Sequence, residues 1–408
     1  MRKTIKATGI VFILLTLILC LIIGFYYVVL PDNFCISKGS TLNLGTVVPI
    51  KAASVEKTVP AFSDGASSRS VQLMLFGAFP IKKVNVTENE RPYLTPCGTP
   101  FGIKILTDGA VVADLGYVDG ERQRCPASEC GIKTGDIIKS VNGAEITSSS
   151  DIAPAVELNH ARTIIEAERD GKKLTFTAYP EKSAKDGGYK LGMWTRDSCA
   201  GIGTVTYFDE KNGTYGGLGH GVCDIDTGIL LPVLKGTIVN VSISSIIKGT
   251  SGNPGELSGT FLSKSASGNI MINSECGVFG RMDYAPVISA AMPMGYKQET
   301  ETGKATILTT VNGTEPKEYD IVIEKINYNS SKAVKNMIIR ITDPELLSKS
   351  GGIVQGMSGS PIIQNGMLVG AVTHVFVNDT TRGYAIFAEN MYRCQTGING
   401  KDLEISAA

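Results

Sequence analysis

The sequence predicts a mainly β protein that is attached to a membrane by one N-terminal helix. Glycine is abundant, with 46 residues, and tryptophan occurs once, a composition typical of short strands and tight turns. Alternating apolar segments separated by Gly, Asn and Asp turns fill most of the chain beyond residue 190. The 408 residues are enough for two or three domains. The 39 basic and 39 acidic residues balance, which disfavours a nucleic-acid partner.

The first element is an uncharged apolar segment, TGIVFILLTLILCLIIGFYYVVL, at residues 8–30. As a helix it is long enough to cross a hydrocarbon core of roughly 30 Å. Arg2, Lys3 and Lys6 precede it, so residues 1–7 are predicted to be a cytoplasmic tail and the remainder extracytoplasmic. The alternative is a cleaved signal peptide, but no small-x-small cleavage site follows at residues 25–35. An uncleaved transmembrane anchor is therefore favoured.

Residues 31–95 are predicted to form a stem with short strands, because the apolar segment VQLMLFGAFPIKKVNV alternates and is interrupted by proline. Nine cysteines are present, and an extracytoplasmic location permits disulfides. Cys125 and Cys130 enclose a short segment and are candidates for a local bridge. The cysteine spacings match no zinc site and the chain has three histidines, so we expect neither a metal nor another cofactor.

Residues 96–182 have the element order of a PDZ domain. GIKTGDIIKSVNG at residues 131–143 contains a Gly-Asp turn, an alternating strand and an Asn-Gly hairpin turn, and it resembles the PDZ signature. A short helix and two strands joined by Asp170-Gly171 follow. The resemblance implies that an extended peptide adds to a sheet edge. It also implies that a loop binds the peptide's C-terminal carboxylate, with the residues Pro100, Phe101, Gly102 and Ile103. The alternative is a small β domain without a ligand.

Residues 190–408 are predicted to form two small antiparallel barrels, as in chymotrypsin-like serine proteases. The segment GMSGSPIIQNG, residues 356–366, places Ser358 in a glycine turn before an apolar hairpin. GTSGNP at residues 249–254 fits the same G-x-S-G-x-P pattern around Ser251, but its surroundings are polar. Ser360 occupies a position where trypsin-like proteases usually have glycine. Ser358 is therefore the preferred nucleophile, and the amides of Gly356 and Ser358 are candidates for an oxyanion hole.

A serine nucleophile requires a base, and histidine is the preferred type because its pKa lies near working pH. His220 lies in the glycine-dense turn GLGHGVCDIDTG and precedes Ser358 by 138 residues, which would place the two in different barrels facing one cleft. His374, in an apolar strand, is the second choice, and His160 falls in the PDZ-like region. The patterns alone do not select the third catalytic residue, for which the candidates are Asp224, Asp226, Asp283, Asp320 and Asp343.

The order of these motifs resembles the stage IV sporulation protein B peptidase family. The segments that carry the resemblance are RDSCAGIGTVTYFD, GLGHGVCDIDTG, KGTSGNPGE, ITDPELLSKSGGIVQGMSGSPIIQNG and AVTHVFVNDT. It implies a serine endopeptidase with Ser358 as nucleophile, His220 as base and Asp343 as the third catalytic residue. It also implies that GTSGNP has a structural role.

The resemblance further implies a function in endospore formation, in the space between forespore and mother cell. There the family cleaves a regulator of a membrane-embedded metalloprotease, which then processes a late sigma factor, and it cleaves itself near the N-terminus. Two other interpretations stay open at this point. One is a catalytically inactive PDZ adaptor or scaffold in the sporulation envelope. The other is a general envelope quality-control protease, which the position of the PDZ-like region before the protease region disfavours.

Overall fold

The computed structural model describes residues 2–46, 48–60, 67–120, 124–262, 265–283, 289–328 and 334–395. Within these residues one helix is long and apolar enough to cross a membrane, over Thr8–Val29. A four-stranded sheet in the order β1-β4-β3-β2 follows it. Tyr26 and Leu30, at the end of the helix, are buried in the core of this sheet. The elements are α1 (Arg2–Val29), β1 (Asn33–Ser37), β2 (Ile50–Pro60), β3 (Ser67–Leu75) and β4 (Phe79–Asn89).

The next part contains the PDZ-like region. Its apolar core combines two short helices with a twisted antiparallel sheet. The 3-10 turn Ser149–Asp151 precedes its second helix, and the side chain of Ser148 accepts a hydrogen bond from the Ser150 amide. The elements are β5 (Tyr93–Pro96), β6 (Pro100–Leu115), α2 (Pro126–Cys130), β7 (Ile137–Val141), β8 (Ala144–Glu145), α3 (Ile152–Glu157), β9 (Thr163–Arg169), β10 (Lys172–Ala178), β11 (Glu181–Lys182) and β12 (Tyr189–Lys190).

Most of the remaining strands belong to the two barrels. Those that follow the PDZ-like region are β13 (Met193–Asp209), β14 (Thr214–Gly217), β15 (Val233–Ile247), β16 (Glu256–Phe261), β17 (Gly268–Ile270), β18 (Ile272–Ser274), β19 (Gly277–Arg281) and β20 (Met292–Pro293). The last group comprises β21 (Gly303–Thr309), β22 (Lys317–Ile326), β23 (Met337–Ile341), α4 (Pro344–Ser350), β24 (Pro361–Gln364), β25 (Met367–Phe376), β26 (Asp379–Phe387) and α5 (Ala388–Gln395).

A long ribbon of two antiparallel strands connects the PDZ-like region to the first barrel. β6 and β13 pair from Pro100 with Thr204 at one end to Leu115 with Met193 at the other. One end of the ribbon belongs to the barrel, and the other end belongs to residues 107–192, which we call the inserted domain. The inserted domain thus interrupts a hairpin of the first barrel. This barrel therefore contains strand residues that precede the inserted domain as well as residues from 193 onward.

The first barrel is a ring of six strands. Ladders join β15 to β6, β6 to β13, β13 to β14 and β14 to β19, and β17 pairs with β15. A bridge between Gly268 and Met282 joins the two remaining edges. The second barrel is closed in the order β21-β22-β23-β26-β25-β24. Each barrel has its own apolar core.

The predicted carboxylate-binding loop at residues 100–103 is a strand in the structure. Pro100, Phe101, Gly102 and Ile103 form the start of β6. The segment pairs with β13 on one side, and from Phe101 onward with β15 on the other. Phe101 and Ile103 are buried in the core of the first barrel. Because sheet pairing already engages this backbone, the segment is not a carboxylate-binding loop, and the prediction for these four residues was wrong.

Candidate active site

The segment that carries Ser358 is a tight loop between α4 and β24. Gly356 and Gly359 adopt φ angles of 96° and 97°, a left-handed region that favours glycine, so the two glycines permit the sharp bends on either side of the serine. Ser358 is half-buried, and its hydroxyl donates a hydrogen bond of 2.8 Å to the carbonyl oxygen of Thr373. The hydroxyl is therefore held at the second barrel, on β25.

Within residues 355–359 of this loop every carbonyl accepts a hydrogen bond, whereas two of the amides donate none to a described residue. The acceptors and their donors are Gln355 with the Leu257 amide, Gly356 with the Thr204 hydroxyl, Met357 with Ser360, Ser358 with the Thr204 amide, and Gly359 with the Thr206 hydroxyl. The amides of Gly356 and Ser358 have no acceptor in the part of the chain that the structure describes. Because a peptide unit is planar, a held carbonyl also fixes the direction of the following amide. Two oriented amides without a protein acceptor are what an oxyanion hole requires.

His220 follows a backbone bend after β14. Leu218 and Gly219 have φ angles of 66° and 68°. The left-handed region costs a residue other than glycine roughly 1–2 kcal/mol, and such residues cluster at functional sites. The Nδ1 atom of His220 lies 2.9 Å from the carbonyl oxygen of Gly221. A carbonyl only accepts, so Nδ1 carries the proton of the neutral ring, and Nε2 is the unprotonated nitrogen that a general base requires.

The pKa of His220 lies below its ordinary value. Burial lowers the pKa, and the hydrogen bond to Gly221 opposes part of this effect. A lowered pKa keeps the imidazole neutral at neutral pH, which is the state that accepts a proton from a serine.

The turn with His220 and the loop with Ser358 lie directly against each other. A Cβ placed on Gly359 would lie 2.6 Å from the Leu218 nitrogen, and a Cβ on Gly219 would lie 3.1 Å from Cγ2 of Thr373. Thr373 is also the residue whose carbonyl holds the Ser358 hydroxyl. The structure therefore brings the predicted nucleophile and the predicted base to one place between the barrels.

His374, the second candidate for the base, lies beside His220. The centroids of the two rings are 4.9 Å apart. The side chain of His374 is partly open to solvent, and desolvation by the atoms around its ring, with smaller contributions from His220 and Lys335, lowers its pKa to about 4. His160 stacks on Tyr189 in the inserted domain, with the ring centroids 4.0 Å apart.

Asp343, the third residue implied by the resemblance, is not brought to His220. It is the N-cap of α4, where its side chain accepts a hydrogen bond of 3.0 Å from the Leu346 amide. Ile338 on β23 pairs with Tyr384, which in turn pairs with His374. These pairs place Ile338 level with His374, whose ring lies beside His220. Asp343 lies five residues beyond Ile338, which corresponds to about 16 Å along the strand direction. In this structure the orienting partner of His220 is the Gly221 carbonyl, and a catalytic role for Asp343 stays a prediction.

The other aspartates near His220 are engaged elsewhere. Asp224 and Asp226 form ion pairs with Arg196 at 3.2 and 2.5 Å. Asp224 also accepts hydrogen bonds from the amides of Asp226 and Thr227, which shape the turn after His220. Arg196 lies on β13, so this strand is tied to the turn that follows the predicted base.

The two rival serines occupy different environments from Ser358. Ser251 lies in a tight turn and donates a hydrogen bond of 3.1 Å to the Asn378 carbonyl. Ser360 is fully buried, and its hydroxyl bonds the Met357 carbonyl and the Thr309 hydroxyl. The bend around Ser251 fits the structural role that the sequence predicted for GTSGNP.

A groove in the inserted domain, with a volume of about 620 Å³, lies between α3 and the first residues of β13. Ile152 and Val156 on the helix side face Met193 and Trp194 on the strand side. The other edge of the strand over Met193–Ser198 pairs with no described strand. An open strand edge beside an apolar helix is the arrangement that binds extended peptides in PDZ domains.

Comparison with known proteins agrees with these features. A protein-family model described as SpoIVB peptidase S55 matches residues 187–392, about half of the chain, including Ser358, His220 and Asp343. The chain belongs to this family. It is accordingly a serine peptidase of sporulation and a hydrolase, as the motifs predicted.

Two solved structures are similar to parts of the chain. One is the PDZ domain of an SdrC-like protein from Listeria monocytogenes, with 19% identity and a TM-score of 0.18. It covers 22% of this chain and 87% of that one. The other is Rv3671c from M. tuberculosis, a serine-to-alanine mutant in an inactive form, with 13% identity and a TM-score of 0.26. It covers 49% of this chain and 82% of that one. The strands, the N-terminal apolar helix and the two barrels of the described residues confirm the predicted mainly β fold class.

Three contacts of the site were not predicted from the sequence: those of the Thr204 and Thr206 hydroxyls with the Ser358 loop, and that of the Gly221 carbonyl with His220. The two threonines alternate on β13 and resemble ordinary strand residues, so the only signal is that both side chains point to the same face. Their contacts depend on a loop 152 and 153 residues away in the chain.

Proposed function

We propose that this peptidase signals between compartments during endospore formation by cleaving a regulator of an intramembrane metalloprotease. The proposal also includes cleavage of its own N-terminal region and attachment to the membrane by α1, with the remainder of the chain outside the cytoplasm. The motif order and the membership in the SpoIVB peptidase family support it. The apolar helix over Thr8–Val29 is compatible with an anchor or a signal sequence.

The proposed reaction uses Ser358 as nucleophile and His220 as general base. The Ser358 hydroxyl turns from the Thr373 carbonyl towards Nε2 of His220, which takes its proton as the oxygen attacks the scissile carbonyl. The amides of Gly356 and Ser358 donate to the oxyanion. The protonated His220 then gives its proton to the leaving amine, and water resolves the acyl-enzyme by the same steps in reverse. The Gly221 carbonyl keeps the His220 ring in the tautomer that these proton transfers need.

The convergence of the Ser358 loop and the His220 turn is the observation that carries this assignment. The test is labelling of the detergent-solubilised full chain with a fluorophosphonate, which reacts with activated serines. We expect Ser358→Ala and His220→Ala to abolish labelling. Ser251→Ala serves as the matched control, since it removes a serine from the same sequence pattern, and it should label like the native chain. Labelling that survives in Ser358→Ala would refute the assignment.

The groove of the inserted domain is proposed to bind an extended segment of a protein substrate. Trp194 lines this groove and is the only tryptophan of the chain, so its fluorescence reports directly on occupancy. It is 58% exposed, and a peptide that covers it should shift its emission to shorter wavelengths. Titration with peptides from the candidate regulator should saturate, and Ile152→Glu, which places a charge in the groove, should weaken the binding. Saturation that is unchanged in this variant would place the binding elsewhere.

Self-cleavage is tested by the fate of the anchor. In cells that produce the full chain, we expect a shortened peptidase in the soluble fraction, and we expect Ser358→Ala to remain full-length in the membrane. Co-production of Ser358→Ala with a tagged native chain then shows whether one molecule cleaves another. Equal shortening of the Ser358→Ala chain when it is produced alone would attribute the cleavage to a different protease.

A further inference from the structure

One threonine of the first barrel contacts both segments of the active site. The amide of Thr204 donates to the Ser358 carbonyl at 3.0 Å, and its hydroxyl donates to the Gly356 carbonyl at 2.8 Å. Its own carbonyl accepts from the amide of Leu218 at 3.2 Å, two residues before His220. Thr204 therefore lies between the nucleophile loop and the turn of the base, with three hydrogen bonds that leave it little freedom.

Thr206, two residues along β13, adds a second contact of the same kind. Its hydroxyl donates to the Gly359 carbonyl at 2.7 Å. Both threonine side chains are buried, with 2% and 0% of their surface exposed, so water does not replace these hydrogen bonds readily. Gly359 lies so close that a Cβ on it would be 2.1 Å from the Thr204 carbonyl oxygen. The loop thus rests on β13 without space for another side chain.

We infer that Thr204 and Thr206 are positioning residues for the peptidase reaction, which act by fixing the peptide planes around Ser358. The Thr204 hydroxyl holds the carbonyl between Gly356 and Met357, and thereby limits rotation of the two flanking peptide units. Those two units contribute the amides of Gly356 and Ser358. Without the hydroxyl, the Gly356 carbonyl loses the donor that the described residues provide, and rotation of the peptide plane is the simplest way for it to find another.

This inference rests on the proposed roles of Ser358 and His220. Its test distinguishes a failure of the inference from a failure of those proposed roles. The full chain in detergent is treated with a fluorophosphonate, and the second-order rate of labelling is measured together with kcat and KM on a peptide substrate. Thr204→Val removes the hydroxyl and keeps the shape, whereas Thr204→Ser keeps the hydroxyl. We expect Thr204→Val to lower kcat and the labelling rate roughly 10- to 100-fold, somewhat less than the loss of an oxyanion donor. KM should change by less than about threefold, and Thr204→Ser should recover most of the rate.

If the Thr204 hydroxyl only stabilised the fold, the result would differ. The folded Thr204→Val molecules would then react with the fluorophosphonate at the native rate. Thr163→Val is the matched control. Thr163 is also a fully buried threonine whose hydroxyl donates to a backbone carbonyl, that of Asn159 at 3.0 Å, but it lies in the inserted domain. The Thr163→Val variant should lose stability to a similar extent as Thr204→Val and keep the native labelling rate. The pH midpoint of kcat/KM should also stay unchanged in Thr204→Val, because the contact to the His220 turn uses only the backbone.

The outcomes are distinct. If the native chain does not label at Ser358, the proposed nucleophile is wrong. If the native chain labels and folded Thr204→Val labels at the same rate, the positioning role is overturned. If Thr204→Val does not fold, Thr206→Val provides the second measurement, with an expected loss of rate that Thr206→Ser restores. An equal loss in Thr206→Val and Thr206→Ser would also contradict the inference, since the hydroxyl would then not be the cause.

Discussion

The role of Asp343 is the point at which the resemblance and the geometry give different expectations. The resemblance implies a catalytic acid, whereas the structure shows an N-cap whose side chain bonds the Leu346 amide at 3.0 Å. Asparagine caps a helix about as well as aspartate, whereas alanine costs about 1 kcal/mol. From the structure we therefore expect Asp343→Asn to keep kcat within about threefold of the native value. Asp343→Ala should lower the melting temperature by a few degrees, about 2–4 °C.

If Asp343 were a catalytic acid, Asp343→Asn would lower kcat far more. Replacing the orienting aspartate of a serine protease triad by asparagine lowers kcat by about 10⁴-fold. The assay is single-turnover labelling of Ser358 in the two variants, with the folded fraction measured by thermal unfolding. A loss of 10³-fold or more in folded Asp343→Asn would refute the reasoning from the N-cap. It would show that Asp343 reaches His220 in a conformation different from the one described here.

Two further predictions concern the base and the glycine beside the nucleophile. Because the pKa of His220 is lowered, kcat/KM should rise with pH through a midpoint below about 6.5, and protonation of the ring should abolish activity below it. His374→Gln should keep this profile, and a midpoint above 7 in the native chain would contradict the assignment. Gly359→Ala should lose labelling, because its Cβ would meet the Thr204 carbonyl at 2.1 Å. Gly366→Ala, which has a similar positive φ but open space around it, should keep the labelling rate at a cost of roughly 1–2 kcal/mol in stability.

Local chemistry explains why parts of the site were predictable. Two glycines around a serine permit bends that few other residues adopt, and the apolar hairpin after them marks a buried strand pair, so Ser358 was distinguishable from Ser251. The position of His220 between a glycine turn and the acidic turn that follows it was similarly visible. For Asp343 the pattern was ambiguous, because an aspartate before Pro344 and a short helix is also a typical N-cap. The structure shows this local role.

The sequence by itself determined the features that depend on neighbours along the chain. These are the apolar helix over Thr8–Val29, the turns of the inserted domain and the bent loop around Ser358. Tertiary structure alone decided the features that depend on distant strands. Residues 100–103 resembled a carboxylate-binding loop, but pairing with β13 and β15 makes them a barrel strand. The contacts of Thr204 with Gly356 and Leu218 likewise arise only when the barrels meet. The physical reason is that a strand's local pattern shows which side chains are buried, whereas its partner depends on packing across the whole fold.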